Sequence, residues 1–146
     1  METLIEDRLN ALQTDGKRVF HQVKGALAFA AIKNQSVPAS TCAYVLPLGS
    51  EPMKSMSSSN GQFGMRKESF AVVLGVQSRN DPTGEKGNQL IKQLREITHS
   101  SLQGWLPPGQ STAFRRGQDK LLALADNGLW WINFYSIETF EEVTYG

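Results

Sequence analysis

The segment Glu68–Ser78, "ESFAVVLGVQS", decides the fold. Phe70, Val72, Leu74 and Val76 alternate onto one side, and Ala71, Val73, Gly75 and Gln77 onto the other. β-Branched residues suit a pleated surface, and apolar character on both sides marks a strand covered on both faces. A central strand is therefore expected here. "TCAYVLPLG" (Thr41–Gly49) reads as a second buried strand. Its Pro47 has no N–H for a ladder and so predicts an edge position or a bulge. "STAFRRG" (Ser111–Gly117), "KLLALA" (Lys120–Ala125) and "LWWINFYSIETF" (Leu129–Phe140) predict three more strands. "GQD" (Gly117–Asp119) and "DNG" (Asp126–Gly128) separate them, the second as a tight-hairpin signal. Trp130 and Trp131 must face opposite sides of their strand.

Helices account for most of the rest. Thr3 to Glu6 has the T-x-x-E form of a capping box. Ile5, Leu9 and Leu12 then follow at helical spacing, and Gly16 offers a stop. "RVFHQV" (Arg18–Val23) predicts a short strand, and "GALAFAAI" (Gly25–Ile32) a small-residue helix. The main helix lies in "RNDPTGEKGNQLIKQLREITHSSLQGW". Asp81 is placed to cap it and Pro82 to occupy its first turn. Leu90, Ile91, Leu94, Ile97 and Leu102 form its apolar stripe, and Gly104 with Pro107-Pro108 ends it. Gly84 and Gly87 in its first turns imply close backbone approach. Helices and strands are segregated along the chain, so the expected class is α+β: a largely antiparallel sheet packed against two or three helices.

A chain of 146 residues predicts one domain, 1–146, with a core that needs no metal or disulfide staple. Apolar residues at 40% and charged residues at 20% exclude a disordered chain. The net charge is +1, from 15 basic and 14 acidic residues, which lacks the basic excess of a duplex-binding protein. No sequence-specific nucleic-acid partner is expected. Cys42 is the one cysteine, which suits a reducing cytoplasm. The acidic, amphipathic "METLIEDRLN" is unlike a secretory signal, and "ALAFAAI" is too short to cross a bilayer, so a soluble intracellular protein with no membrane partner is expected.

Catalytic and cofactor signatures are missing. Cys42 sits in a strand read as buried, distant in sequence from His21 and His99, and a lone cysteine is usually a small hydrophobe. No metal-ligand spacing, phosphate loop or nucleophile elbow occurs, so no catalytic residue, metal or cofactor is assigned. His99 falls in the last helical turn, where a cation would complement the dipole. Other features call for a surface role. "MKSMSSSNGQFGM" (Met53–Met65) has no apolar period and exceeds the usual connection of about 4–6 residues. Arg66-Lys67 follows it, and Arg115-Arg116 adjoins Phe114 in a strand. Both pairs read as solvated strand edges or as interface arginines and lysines. Arg79 fits a strand end, and Trp105 a core plug beyond the main helix.

Several segments together resemble the tail terminator proteins of long-tailed bacteriophages and related prophages. They are "FAVVLGVQSRND", then "GEKGNQLIKQLREITHSSLQGWLPP", then the region ending "GLWWINFYSIETF". "LQGWLPP" (Leu102–Pro108) is the most specific unit, and the "IEDRLNAL" and "CAYVLPLGSEP" segments agree with it. The resemblance implies a structural assembly protein, not an enzyme, made in the bacterial cytoplasm and destined for the virion tail. It would cap the tail tube, end its polymerisation and form the head-joining face, as a ring of usually six copies. Its partners would be itself, the tail tube protein and the head-completion or connector protein. A different ring-forming component, at the head–tail joint or in the tube, is the alternative. The resemblance also implies a mobile loop at about residues 53–66. Met53, Met56, Phe63, Met65, Arg66, Lys67, Arg79, Arg115 and Arg116 are the expected interface residues.

Overall fold

The structure, a computed structural model, describes residues 1–32, 36–53, 63–79, 81 and 83–142. Three helices, α1 (Glu2–Asn10), α2 (Ala26–Ala30) and α3 (Glu85–Leu102), accompany seven strands. β1 (Gln13–Thr14) and β2 (Lys17–Arg18) form a small hairpin. The main sheet has the order β3 (Gln22–Gly25), β4 (Thr41–Pro52), β5 (Phe63–Gln77), β7 (Gly128–Glu142), β6 (Arg115–Ala125). Every neighbouring pair is antiparallel except β3–β4, so the α+β class and the largely antiparallel sheet hold.

β5 is the central strand, as its alternation requires. Phe70, Val72, Leu74 and Val76 face the helical layer and join Ala43, Val45, Leu129, Tyr135 and Ile137 in the larger core. α1 contributes Ile5 and Leu9 to it, and α3 contributes Ile91, Leu94 and Leu102. Each such burial is worth about 1.5–3 kcal/mol relative to exposure. The opposite sheet face carries a smaller core of Cys42, Tyr44, Val73, Val37 and Trp130, roofed by Phe29 of α2. Pro47 meets both of its expectations: the register shifts between Pro47 and Gly49, and β3 covers the outer edge of β4 only as far as Val45.

Other expectations are corrected. Thr3 does not cap α1: the helix already includes Glu2, and Met1 is its N-cap without a side-chain bond. Gly16 is not the helix stop either, since α1 ends at Asn10 with Ala11 as its C-cap. Asp15 and Gly16 instead turn the β1–β2 hairpin with φ of 54° and 76°. "STAFRRG" and "KLLALA" are not two strands; "GQD" lies within one strand, β6, as a bulge between Arg116 and Asp119. α3 starts at Glu85 behind Gly84, whose φ is 77°. Asp81 caps it from further out, accepting from the backbone N–H of Lys86 at 3.3 Å and Gly87 at 2.9 Å. These bonds and one from Ser78 hold its carboxyl below the usual range. Pro82 lies outside the described residues. Gly87 does sit in close contact, 3.3 Å from Leu129 and Ser78 if it bore a Cβ. Among the expected loop residues, Phe63–Arg66 belong to β5, and Met53 N–H donates to Met65 O at 2.8 Å.

Candidate functional site

The sequence-selected residues fall in separate places. Beyond the helical layer, β4, β5 and β7 run on as a three-stranded arm. Met53 and Met65 lie at its end, with Met65 in register with Phe140. Arg66 donates to Ser50 Oγ from Nε at 3.2 Å and from Nη2 at 3.1 Å. Lys67 sits in register between Glu51 and Glu138. Phe63 opens β5, and Met56 lies outside the described residues. Arg79 is exposed beyond the other end of β5, next to the start of α3. Arg115 and Arg116 open β6, at the far edge of the sheet. No single site gathers them all.

A polar cluster that spacing does not reveal stands where α3 crosses β6. Asp119, with a side chain only 9% exposed, accepts from Arg95 Nη2 at 2.5 Å, Arg116 Nη2 at 3.1 Å and Trp131 Nε1 at 3.0 Å. Burial would raise its pKa, yet the bonds from Arg116, Trp131 and Arg95 hold the carboxyl below the usual range. Arg95 also lies over the Trp131 ring, 4.2 Å from its centroid, a cation–π contact that helps order the guanidinium.

His99 lies at the floor of this cluster. It is not an exposed cation at the helix end, as its position in the last turn suggests, but a buried residue with Nδ1 2.5 Å from Tyr135 Oη. Desolvation lowers its pKa first and the Arg116 charge second, so the ring is neutral at neutral pH. Burial drives the Tyr135 phenol far up and keeps it protonated. Oη and Nδ1 thus share one hydrogen bond, and in the tautomer where Tyr135 O–H donates, the ring's own proton sits on Nε2. That N–H faces Asp119 Oδ2 at 3.5 Å, too far for a hydrogen bond, and has no other acceptor. Arg95 Nε is likewise buried without one. In front of these groups lies an open pocket of about 430 Å³, lined by Lys92, Arg95, Glu96, His99, Ser100, Gln103 and Arg116.

Towards its other end β6 is apolar. Leu121, Leu122 and Leu124 are 47%, 41% and 73% exposed, on a strand paired on one side only. Such an edge usually carries charge, proline or a short strand as protection. The opposite side of the sheet has that protection: β3 is four residues long, and β4 carries Pro47 and Pro52. α1 packs over this opposite side, with Glu2 and Glu6 along it, while Asp7 lines the α1–α3 groove. The Glu6 carboxyl is pushed up by burial and by the charges of Asp7 and Glu2. Arg8, the one basic residue of α1, is turned away. Its Nε donates to Ser101 O at 2.8 Å, and its guanidinium covers Trp105, which stacks on Phe114 and so plugs the α1–α3 groove rather than the core centre.

Cys42 is buried, with Sγ toward Gly75 O at 3.7 Å, and burial pushes its thiol up to about 12. The exposed His21 ring bonds Thr41 Oγ1 instead. Among the described residues no three His, Cys, Asp or Glu side chains converge as metal ligands, and no helix is long and apolar enough to cross a membrane.

Asp119, His99, Tyr135, Arg95 and Lys92 come together in a cluster that no spacing in the sequence reveals. Helical phase offered one signal, since His99 lies eight residues after Ile91 and so on the same buried side. Residues 2–143 match the family model described as phage tail terminator protein. No curated protein matches the chain.

Proposed function

The chain belongs to the phage tail terminator family, and on that premise we propose that it caps the tail tube, ends its polymerisation and forms the head-joining face as a closed ring. Its role in the phage tail is structural. A ring of identical subunits needs two unlike patches per subunit, each complementary to the other. The observation that carries this reading is the contrast between the two sides of the sheet. The β3/β4 side is blunted by proline and bears the carboxylates of α1, whereas the β6 side is open, basic and leucine-rich. Chemistry on substrates has no support in the arrangement: the thiol of Cys42 and the phenol of Tyr135 are both buried and held protonated.

In this reading the partners are further copies of the chain, the tail tube protein and the head-completion protein, in the virion tail. The arm carrying Met53, Met65, Arg66 and Lys67 meets the tube, and Arg115 and Arg116 meet a neighbouring subunit. Capping ends growth because the ring presents to incoming tube subunits a surface unlike the tube's own end. Electron microscopy of lysates lacking the protein tests this directly. Tails of abnormal length with unjoined heads are expected, and wild-type chain supplied in trans restores normal virions. Complete absence of tails would instead mark a tube component.

A further inference from the structure

We propose that the basic pocket between α3 and β6 is the socket for α1 of a second copy, taking the Glu2 and Glu6 carboxylates in a head-to-tail contact. The inference rests on the ring reading above and specifies which two surfaces meet. Three observations carry it. First, the β6 side concentrates cations. Lys92, Arg95 and Arg116 line the pocket against Glu96, with Asp119 beneath them, in a chain whose total charge is close to neutral; Arg115 and Lys120 alternate onto the other face of β6, in register with Ser136 and Ile132. Asp119 is already bonded by Arg95, Arg116 and Trp131, and Lys92 is exposed with no ion pair among the described residues. Second, the pocket floor holds two buried nitrogens without a hydrogen-bond partner among the described residues, Arg95 Nε and His99 Nε2, the latter 3.5 Å from Asp119 Oδ2 and on a side chain more than nine-tenths buried. Buried donors of this kind are costly to leave unpaired, and a carboxylate brings acceptors to that region.

Third, the complementary charge lies on the other flank of the same molecule. Glu2 and Glu6 are four residues apart on α1 and so share a face. That face looks toward the β3/β4 side: Glu2 lies beside Pro47, Gly49 and Ser50, and Glu6 Oε1 lies against Gly25. Neither carboxylate has an ion pair among the described residues, and burial first, then the charges of Asp7 and Glu2, push the Glu6 carboxyl up. Acid on one flank and base on the other cannot meet within one subunit. They meet between subunits when each turns the same way, which is the heterologous geometry a ring requires. Electrostatic pairing across such a contact also fixes orientation and suppresses wrong pairings.

Charge reversal in trans tests the contact. One variant carries Lys92→Glu with Arg116→Glu, the other Glu2→Lys with Glu6→Lys. Each is supplied, alone or together, to lysates lacking the wild-type protein, and each is first shown to unfold thermally like wild type. Because Arg116 also bonds Asp119, Lys92→Glu alone serves as the milder version of the first variant. Either reversed chain alone is expected to leave tails unterminated, with at least a tenfold loss of normal virions. Co-expression of the two restores them, because every reversed socket can then face a reversed α1. Normal tails from a folded reversed chain, or no restoration on co-expression, would overturn the contact. Failure of the wild-type chain to restore tails would instead overturn the terminator reading itself.

Discussion

At Trp130 the sheet meets a dry aromatic group: the Phe29 and Tyr44 rings lie 5.6 and 5.8 Å away, and a Cβ on Gly75 would come within 2.6 Å of the indole. At Trp131, one residue on and on the other face, the indole N–H reaches Asp119 and the ring lies under Arg95. One tryptophan fixes the sheet beneath α2 through close packing. Its neighbour holds α3 to β6 through a charged group, and the same arginines that satisfy Asp119 extend toward solvent. A single strand thus separates a region that serves folding from one that also presents charge at the surface.

Emptying the dry side has the largest expected effect. Trp130→Ala leaves a cavity beneath α2 and costs about 3–5 kcal/mol, measured by urea unfolding. A loss under about 1 kcal/mol would show that α2 collapses into the space and that this face is not close-packed. On the polar side, Asp119→Asn leaves Arg95 and Arg116 without a counter-charge. Breaking a fully buried pair costs about 3–5 kcal/mol. Here the arginine side chains are 28% and 40% exposed, so water offsets part of that and about 2 kcal/mol is expected. If Asp119→Asn cost as much as Trp130→Ala, the contrast between the two faces would be lost.

The two faces also differ in how far the sequence discloses them. Alternation in Phe70–Val76, the adjacent tryptophans and Pro47 all state local constraints, and each predicted its place in the sheet. The polar face is built from Arg95, His99, Arg116, Asp119, Trp131 and Tyr135, brought together by the crossing of α3 over the β6–β7 hairpin. No short-range spacing encodes that crossing. Gly and Asp favour turns, so "GQD" predicts a break between two strands, while long-range pairing to β7 makes it a bulge that brings Asp119 into register with Asn133. Thr3 likewise has the chemistry of a cap, but burial of Ile5 and Leu9 is compatible with a helix that begins two residues earlier, at Glu2 behind Met1.

Acid sharpens the comparison, since the Trp131 face buries the imidazole of His99. The pKa of His99 in the folded chain lies below its unfolded value near 6.5. The unfolded chain therefore takes up a proton that the folded chain refuses. The contribution is complete above about pH 6.5 and is lost as the pH falls from there toward the folded pKa. Asp119, also depressed, loses its contribution in a separate window below about pH 4. His99→Gln should flatten the fall in melting temperature between pH 7 and 5, whereas Trp130→Ala should leave that slope as it is. An identical slope in His99→Gln would mean that the imidazole is not the group responsible.

The smallest effect on the fold is expected at the outer end of β6. Leu124 is 73% exposed and pairs with Leu129 across the β6–β7 ladder. Little apolar area is lost when it is shortened to threonine, which retains β-propensity, so unfolding should shift by no more than about 0.5 kcal/mol. A subunit seated on this edge would change the account, because burying a leucine is worth about 1.5–3 kcal/mol. Leu124→Thr should then weaken ring formation by roughly tenfold or more, since 1.4 kcal/mol is a factor of ten. Sedimentation with tail tubes, set beside thermal unfolding of the free chain, separates the two quantities. Parallel losses in both would make the edge part of the core. Loss in sedimentation alone would make it the surface that the core exists to hold in place.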